Sequence, residues 1–213
     1  MRRSILALAT ALFACTAAAD EAVGPTQKAP PPAEGLAVAT FAGGCFWCME
    51  PPFEKTKGVV SAISGYAGGK EASPAYKAVA YGRTGHRESV QVTYDPKKVS
   101  YEELLQVFWR SMDPTDDGGQ FVDRGAQYAP GIFVHDAEQR AAAEESKKAL
   151  GASGRFGDEA IVVPILEAGD FWVAEAYHQD FYKKSSAHYE RYRRGSGRDA
   201  FLAKHWPKKS EDS

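Results

Sequence analysis

Two cysteines at the start of a predicted helix are the residues of this chain best suited to chemistry. Cys45 follows Gly43 and Gly44, and Cys48 comes three residues later. The N–H groups and the dipole at a helix N-terminus stabilise a thiolate, which is the nucleophilic form of cysteine. Cysteines with this spacing at a helix start also lie within disulfide reach of each other. We therefore expect Cys45 to be a nucleophile with a second thiol beside it.

The residues alone leave other roles open for this pair. A structural disulfide is one, because disulfides persist in oxidising compartments. A thioredoxin-like redox pair is a stronger alternative, since it also places its cysteines where a strand gives way to a helix. A zinc site is disfavoured because no second cysteine or histidine pair stands at ligand spacing, with His178 and His188 too far apart. We expect no metal.

Phe46 and Trp47 stand between the two cysteines. Aromatic side chains beside a nucleophilic sulfur can form an apolar slot for a methyl-sized group, and ordinary core packing is the competing explanation. A slot without chemistry would make the chain a binding module for thioether or methionine-rich peptides. That hypothesis predicts that Cys45→Ser still binds its ligand.

These side chains need a sheet to hold them. Short apolar or alternating runs predict strands at 36–41, 58–66, 89–94, 131–135 and 160–166.

Three segments predict helices. The first begins at or just after Cys45, with distortion at Pro52, because proline fits only the first helical turn. Ser100 and Glu103 form a capping box for the second, and Asp136 caps a third, alanine-rich helix that ends near residue 151. Strands and helices in this order predict an α/β fold. We expect a single two-layer α/β sandwich of the ferredoxin-like kind, with a mixed sheet and an irregular C-terminal segment.

The chain divides into an export signal, a proline-rich unfolded linker and one catalytic domain, at 1–19, 20–35 and 36–213. Arg2 and Arg3 precede an apolar stretch too short to span a bilayer, and small residues before Asp20 suit cleavage. This order predicts export to the periplasm. The residues before Cys15 resemble a lipobox, so a lipid anchor on Cys15 and an untethered mature N-terminus both stay open.

Composition excludes several function classes. The 213 residues include 26 Lys and Arg against 28 Asp and Glu, a net charge of −2, so no overall field favours nucleic acid. A mean hydropathy of −0.41 excludes a polytopic membrane protein. The basic, tyrosine-containing segment at 182–198 is expected to be a solvated tail whose aromatic residues pack on the domain. We expect a monomer.

Five short motifs follow one another in a distinctive order. They are Gly-Cys-Phe-Trp at 44–47, Gly-Tyr-Ala-Gly-Gly at 65–69, Gly-His-Arg-Glu at 85–88, Asp-Arg-Gly-Ala-Gln-Tyr at 123–128 and Tyr-His-Gln at 177–179. In this order they resemble the peptide methionine sulfoxide reductase A family. The resemblance implies reduction of methionine S-sulfoxide, free or in proteins, without a metal or organic cofactor.

The resemblance also implies roles for individual residues. Cys45 would attack the sulfoxide sulfur and become a sulfenic acid. The oxygen must finally leave as water, so a proton donor is needed, and Glu88 fits if burial keeps it protonated. An ordinary solvated carboxylate beside His86 and Arg87 is the alternative for Glu88.

Further implied roles concern the sulfoxide oxygen and the S-methyl group. Tyr76 and Tyr128 would hydrogen-bond the oxygen, and Asp123 would polarise the site. The two aromatic residues between the cysteines would hold the S-methyl group of the substrate. His178 would support the site rather than exchange protons.

Cys48 is where this chain departs from much of the family, which often has glycine there and resolving cysteines near the C-terminus. No cysteine follows Cys48. The resemblance therefore implies that Cys48 resolves the sulfenic acid as a Cys45–Cys48 disulfide, which a thioredoxin-like partner reduces. An external thiol is the alternative resolving group. A general thiol-disulfide oxidoreductase is the rival function, and it predicts indifference to Glu88→Gln.

Overall fold

A computed structural model describes residues 26–207 of the chain. The predicted export signal at 1–19, including Cys15, and the first part of the predicted linker lie outside these residues. Within 26–207, no helix combines the length and the apolar character needed to cross a membrane.

The described residues form nine strands, seven α-helices and one 3-10 turn at Ala126–Tyr128. The strands are β1 (Gln27–Lys28), β2 (Ala37–Ala42), β3 (Val59–Ala67), β4 (Arg87–Tyr94), β5 (Gly119–Gln120), β6 (Asp123–Arg124), β7 (Gly131–Val134), β8 (Ile165–Glu167) and β9 (Trp172–Val173). The helices are α1 (Phe46–Glu54), α2 (Tyr76–Ala80), α3 (Tyr101–Trp109), α4 (Ala137–Ala152), α5 (Phe181–Lys184), α6 (Ser186–Gly195) and α7 (Arg198–His205).

Seven of the strands form one sheet in the order β1-β9-β3-β4-β2-β7-β8. All neighbours in it are antiparallel except β7 and β8, which are parallel. Strands β5 and β6 form a separate antiparallel ribbon. The predicted α/β class with a mixed sheet is therefore confirmed.

The core fixes α1 and α3 against the middle of the sheet. Phe41 of β2 stacks on Phe53 of α1, with ring centroids 5.0 Å apart, and on Phe108 of α3 at 5.1 Å. All three rings are fully buried, and each such burial stabilises the fold by about 2–3 kcal/mol. Helix α3 begins with the predicted capping box, in which the Ser100 hydroxyl accepts from the Glu103 N–H and the Glu103 carboxylate accepts from the Ser100 N–H.

Strand β8 is shorter than the strand predicted at 160–166. It covers only Ile165–Glu167, because the residues before it lie outside the sheet. The N–H of Val162 donates to the carbonyl of Pro114 at 2.9 Å, and Pro164 has no N–H to give to a ladder.

Both ends of the described chain differ from prediction. The predicted linker is not wholly unfolded, because β1 pairs with the sheet edge at β9 and the Thr26 hydroxyl donates to the Pro74 carbonyl at 2.9 Å. An edge strand offers free N–H and C=O groups, and these residues occupy them. The C-terminal segment, predicted to be irregular, forms helices α5, α6 and α7. No proline stands between 181 and 205, so none of these helices loses a backbone hydrogen bond to one.

Candidate active site

The turn before α1 brings Cys45 to the helix N-terminus, as predicted. Strand β2 ends at Ala42, and Gly44 has a φ of +84°, which favours glycine. A Cβ on Gly44 would lie 2.5 Å from the Cβ of Gln120, so a side chain there would force a shift of the backbone. Cys45 is then the N-cap residue, and α1 begins at Phe46.

The two thiols form a hydrogen-bonded pair. Both are free, with 7% of Cys45 and 1% of Cys48 exposed. Burial, the hydrogen bond to Cys48 and the charge of Glu88 raise the pKa of Cys45. The hydrogen bond from Cys45 lowers the pKa of Cys48 against its burial, and Arg198 and Arg193 lower it further. Cys48 is therefore the more acidic thiol of the pair, and at Cys45 burial outweighs the lowering of the pKa expected at a helix N-terminus.

Glu88 of β4 lies with its carboxyl group against the first peptide of α1. Its Oε2 accepts the N–H of Phe46 at 3.1 Å, and only 2% of the residue is exposed. Burial raises the pKa of Glu88 to about 8, although the hydrogen bond from Phe46 opposes the shift. The carboxyl group therefore holds a proton at neutral pH, which a proton donor requires. This burial excludes the solvated carboxylate considered as the alternative.

Two phenols face the cysteine and the carboxyl group. Tyr76 is the first residue of α2, and Tyr128 is the last residue of the 3-10 turn. Burial raises the pKa of both, and the charges of Glu88 and Cys45 raise each further. Both phenols therefore stay protonated across the physiological range and can donate a hydrogen bond to an oxygen placed between them and the thiol.

Asp123 of β6 acts on the site through a third phenol. Its Oδ2 accepts a hydrogen bond from the hydroxyl of Tyr192, and that hydroxyl also hydrogen-bonds the side chain of Cys45. Burial raises the pKa of Asp123, while Tyr192 and Arg198 oppose the rise. Burial likewise raises the pKa of Tyr192, so this phenol is also a donor at neutral pH.

The aromatic pair between the cysteines occupies two different environments. Phe46 is 1% exposed and its ring centroid lies 4.9 Å from that of His178. Trp47 is half-buried and stacks on Phe181, with centroids 3.7 Å apart. The Nε1–H of Trp47 donates to Nδ1 of His178 at 3.1 Å, and burial lowers the pKa of His178 to about 4. His178 is therefore a neutral ring that positions Trp47, and Trp47 is the more exposed of the two aromatic residues.

Several residues of the site were missed at the level of sequence, among them Glu175 and Tyr192. Glu175, which is 8% exposed, accepts the N–H of Tyr76 at 2.9 Å and the hydroxyl of Tyr66 at 2.7 Å. It thereby fixes the start of α2 and the position of Tyr76. Its place just before the Tyr-His-Gln motif is a usable signal, whereas nothing local distinguishes Tyr192 from the other tyrosines, ten in all.

The prediction of a solvated C-terminal tail whose aromatic residues pack on the domain is confirmed for the packing, since Tyr192 contacts Trp47 edge-on, but it is wrong for two of the arginines. Tyr192 and Arg193 of α6 and Arg198 of α7 reach the cysteine pair. Arg198 is 1% exposed, and its Nη2 donates to the carbonyl of Gly43 at 3.0 Å. Part of the basic character of this segment therefore serves the site rather than solvation.

One group of side chains within 26–207 has the spacing of metal ligands. Oxygen atoms of Glu50, Glu54 and Asp180 lie within 4.8 Å of one another. The ammonium group of Lys183 forms ion pairs with Glu54 and with Asp180. Because a side-chain cation already balances these carboxylates, the group gives no support for a metal site.

Comparison with known proteins gives one consistent result. A family model described as peptide methionine sulfoxide reductase matches residues 37–210. The curated reductase MsrA of Bacillus licheniformis is 53% identical over 84% of this chain and 99% of its own length. MsrA of Listeria monocytogenes is 55% identical over 81% of this chain and 97% of its own length.

Solved structures share the mixed α/β fold. Mxr1 from Saccharomyces cerevisiae in reduced form superposes with a TM-score of 0.68 at 31% identity, covering 76% of this chain and 90% of Mxr1. Methionine sulfoxide reductase A of Corynebacterium diphtheriae gives 0.64 at 29% identity, covering 76% of this chain and 88% of that protein. A buried thiol pair, a protonated carboxyl group and three phenols stand on this fold in the part described here. The chain belongs to the peptide methionine sulfoxide reductase family.

Proposed function

We propose that this enzyme reduces methionine S-sulfoxide, free or in proteins, through a sulfenic acid on Cys45 that Cys48 resolves. The observation that carries the proposal is the placement of the Cys45 thiol beside a buried, protonated Glu88, which the first N–H of α1 holds in place. Thiol–disulfide exchange breaks no S–O bond, so it needs no acid for a leaving oxygen. The preference for the S epimer rests on the family resemblance.

In the first step the Cys45 sulfur attacks the sulfoxide sulfur. The S–O bond of the sulfoxide breaks, methionine is released, and the oxygen remains on Cys45 as a sulfenic acid. Glu88 gives its proton to the oxygen and regains one from the Cys45 thiol, so no proton is taken from solvent overall. Tyr76 and Tyr128 donate to the oxygen as negative charge develops on it.

In the second step Cys48 attacks the sulfenic sulfur. An S–S bond forms, the S–O bond of Cys45 breaks, and the oxygen leaves as water with the protons of the sulfenic acid and of Cys48. A thioredoxin-like dithiol then reduces the disulfide and becomes oxidised itself. The support for Cys48 is its hydrogen bond to Cys45 and its place three residues along the same helix.

The substrate's S-methyl group would rest on the accessible face of Trp47. Support comes from the stacking of Trp47 on Phe181 and its hydrogen bond to His178, which hold the indole ring in one orientation. Phe46, covered by the core, would back this slot. No metal or organic cofactor takes part in the proposed steps.

We also propose that the enzyme is exported to the periplasm as a monomer. The support is the order of charged, apolar and small residues before Asp20. The mass of the mature N-terminus after cell fractionation tests export, and a diacyl mass on Cys15 would decide for the lipid anchor. Sedimentation tests the monomer.

The finer fold assignment is likewise a proposal. The chain order β2-α1-β3-β4-α3-β7 and the sheet order β3-β4-β2-β7 support a ferredoxin-like core. Strands β9 and β1 would extend one edge of this core and β8 the other, and the β5-β6 ribbon would be a separate insertion.

The test of function is dithiothreitol-driven reduction of separated R and S epimers of a methionine sulfoxide peptide by wild type, Cys45→Ser and Cys48→Ser. With dithiothreitol we expect only the S epimer to be consumed and no consumption by Cys45→Ser. With a thioredoxin as the reductant instead, Cys48→Ser should complete one turnover and then stop. Consumption of neither epimer would overturn the proposal. Reduction of insulin disulfides would then support the rival oxidoreductase.

A further inference from the structure

Prolines inside α1 leave the carbonyl group of Cys48 without its helical partner. In an α-helix that carbonyl would accept the N–H of residue 52, and Pro52 has none. Nη1 of Arg193, from α6, instead lies 3.4 Å from the Cys48 oxygen and donates to it. Pro52 therefore leaves a free carbonyl group at Cys48, and the guanidinium of Arg193 binds it.

A second cation is buried close to the same residue. Arg198 is 1% exposed, and its guanidinium donates to the carbonyl groups of Gly43 and Ser111. Its Nη1 lies 3.6 Å from Sδ of Met49, the residue after Cys48. No carboxylate within residues 26–207 forms an ion pair with Arg198. A buried charge without an ion pair is costly. Here two carbonyl groups, the ring of Phe121 at 4.7 Å and the charge of Asp123 offset that cost and hold the guanidinium in place.

Cations act on only one of the two sulfur atoms. The hydrogen bond from Cys45 lowers the pKa of Cys48 most, and Arg198 and Arg193 lower it further, against burial and Asp123. Burial, the hydrogen bond to Cys48 and the charges of Glu88 and Asp123 all raise the pKa of Cys45. The charged and titratable groups that face Cys48 are Cys45 of the same pair, Arg193 and Tyr189 of α6, Arg198 of α7, Asp123 of β6 and Glu88 of β4. Only the two arginines are cations.

We propose that Arg193 and Arg198 are positioning residues that hold Cys48 as the thiolate of the pair and so set the rate at which it attacks the Cys45 sulfenic acid. This inference rests on the proposed function. In the step, the Cys48 thiolate gives its electron pair to the Cys45 sulfur and the S–O bond breaks. The leaving hydroxide takes up the proton that Cys48 released to solvent when it became a thiolate, so water departs and no net proton is consumed. The arginines touch neither the substrate nor the reacting oxygen.

The proposal predicts a change in pH profile that a loss of structure would not give. Removing one nearby cation raises the pKa of a thiol by about one unit. Thiolate nucleophilicity rises with pKa, with a Brønsted coefficient of about 0.4–0.5. Disulfide formation in such a variant should therefore be about threefold slower than wild type well below the pKa and about threefold faster well above it.

The experiment uses single turnovers of the full chain with the S epimer and no reductant. Methionine release reports the first step, and loss of alkylatable thiols reports disulfide formation, each measured from pH 5.5 to 9.5. The variants are Arg193→Gln, Arg198→Met and Arg198→Lys. Arg194→Gln is the matched control, because Arg194 lies exposed on the same helix and carries the same charge.

We expect Arg193→Gln and Arg198→Met to form the disulfide more slowly than wild type at low pH and faster at high pH. Methionine release should stay at one per enzyme. Arg198→Lys, which keeps the charge, and Arg194→Gln should follow wild type. If the rate of disulfide formation in Arg193→Gln has the same pH midpoint as in wild type, the proposal is overturned, even if Arg198→Met fails to fold. A second measurement titrates the Cys48 thiolate by its absorbance at 240 nm. It compares the Cys45→Ser variant with the double variant that also carries Arg193→Gln, in which the pKa of Cys48 should be higher. That titration needs no substrate, so failure of the proposed function is distinguishable from failure of this inference.

Discussion

The main-chain N–H of Phe46 donates to Oε2 of Glu88 at 3.1 Å, which joins the first peptide of α1 to a buried carboxylic acid in β4. The contact sets the proposed catalytic acid next to Cys45, the residue before Phe46. Burial raises the pKa of Glu88 to about 8, and the hydrogen bond fixes which oxygen faces the helix. Nucleophile and acid are thus positioned by one peptide group.

Glu88→Gln should remove the carboxylic acid proton of Glu88 while keeping the size and shape of the side chain. We expect methionine formation in a single turnover to fall by about 10²- to 10⁴-fold, the usual range for loss of a general acid. The amide oxygen can still accept from Phe46, so the fold should persist. Glu50→Gln is the control, because Glu50 is another buried carboxyl group whose pKa burial raises. Equal rates for Glu88→Gln and wild type would contradict the assigned role.

The pH dependence of the first step follows from the same group. The acid must be protonated, so methionine release should decline as pH rises through about 8. Quenched-flow measurement of methionine release from pH 6 to 10 checks this, with Glu88→Gln lacking that limb. A flat wild-type profile up to pH 10 would remove Glu88 from the step.

Stability should also depend on Glu88. Its pKa in the folded protein, about 8, lies above the ordinary value of about 4.3, so the folded state binds the extra proton between these limits. The free energy of unfolding should therefore fall as pH rises from about 4.5 to 8, by on the order of a few kcal/mol, and level off above. Urea denaturation at pH 5, 7 and 9 should show a smaller decline in Glu88→Gln. Parallel declines in both proteins would count against the raised pKa.

Tyr192→Phe tests a site residue that the sequence did not reveal. The hydroxyl of Tyr192 donates to Asp123 and hydrogen-bonds Cys45. Loss of a hydrogen bond to a charged group costs about 1.5–3 kcal/mol, so we expect the turnover rate to fall by about 10- to 100-fold. Tyr182→Phe is the control, since that phenol donates to Glu54 away from the thiols. A Tyr192→Phe enzyme as fast as the control would exclude a role in turnover.

Sequence signals were reliable where structure is decided locally. The glycine turn before Cys45, the cap at Ser100 and the cap at Asp136 all stand where predicted. Each depends on the backbone preference or the side-chain reach of a few neighbouring residues. The strand predicted at 160–166 is wrong in its start for a local reason too. The apolar run begins at residue 160, but the strand begins only after Pro164, which has no N–H for the sheet.

The parts of the site that were missed come from distant segments. Glu175 reaches Tyr76 across 99 residues of sequence, and Arg193 reaches Cys48 across 145. The basic composition of this segment indicated a solvated tail. A run of arginine and tyrosine residues does not by itself show which of them will be buried in the fold. The carbonyl group freed by Pro52 is a local cause of such a contact, but it does not identify the donor.

Glu175→Gln tests how Tyr76 is held. The Glu175 carboxylate accepts from the N–H of Tyr76 and from the hydroxyl of Tyr66. An amide at this position turns one acceptor into a donor, which leaves a buried donor unpaired. We expect the free energy of unfolding to fall by about 1–3 kcal/mol and turnover to slow because Tyr76 loses its fixed position.

A double-mutant cycle with Tyr76→Phe separates these two effects. If Glu175 acts on catalysis through Tyr76, its substitution should slow turnover much less in a Tyr76→Phe background than in wild type, since the hydroxyl it positions is already absent. The stability loss should be similar in both backgrounds, because the N–H of residue 76 and the hydroxyl of Tyr66 are still present. Rate losses that simply add would mean that Glu175 contributes to turnover independently of Tyr76.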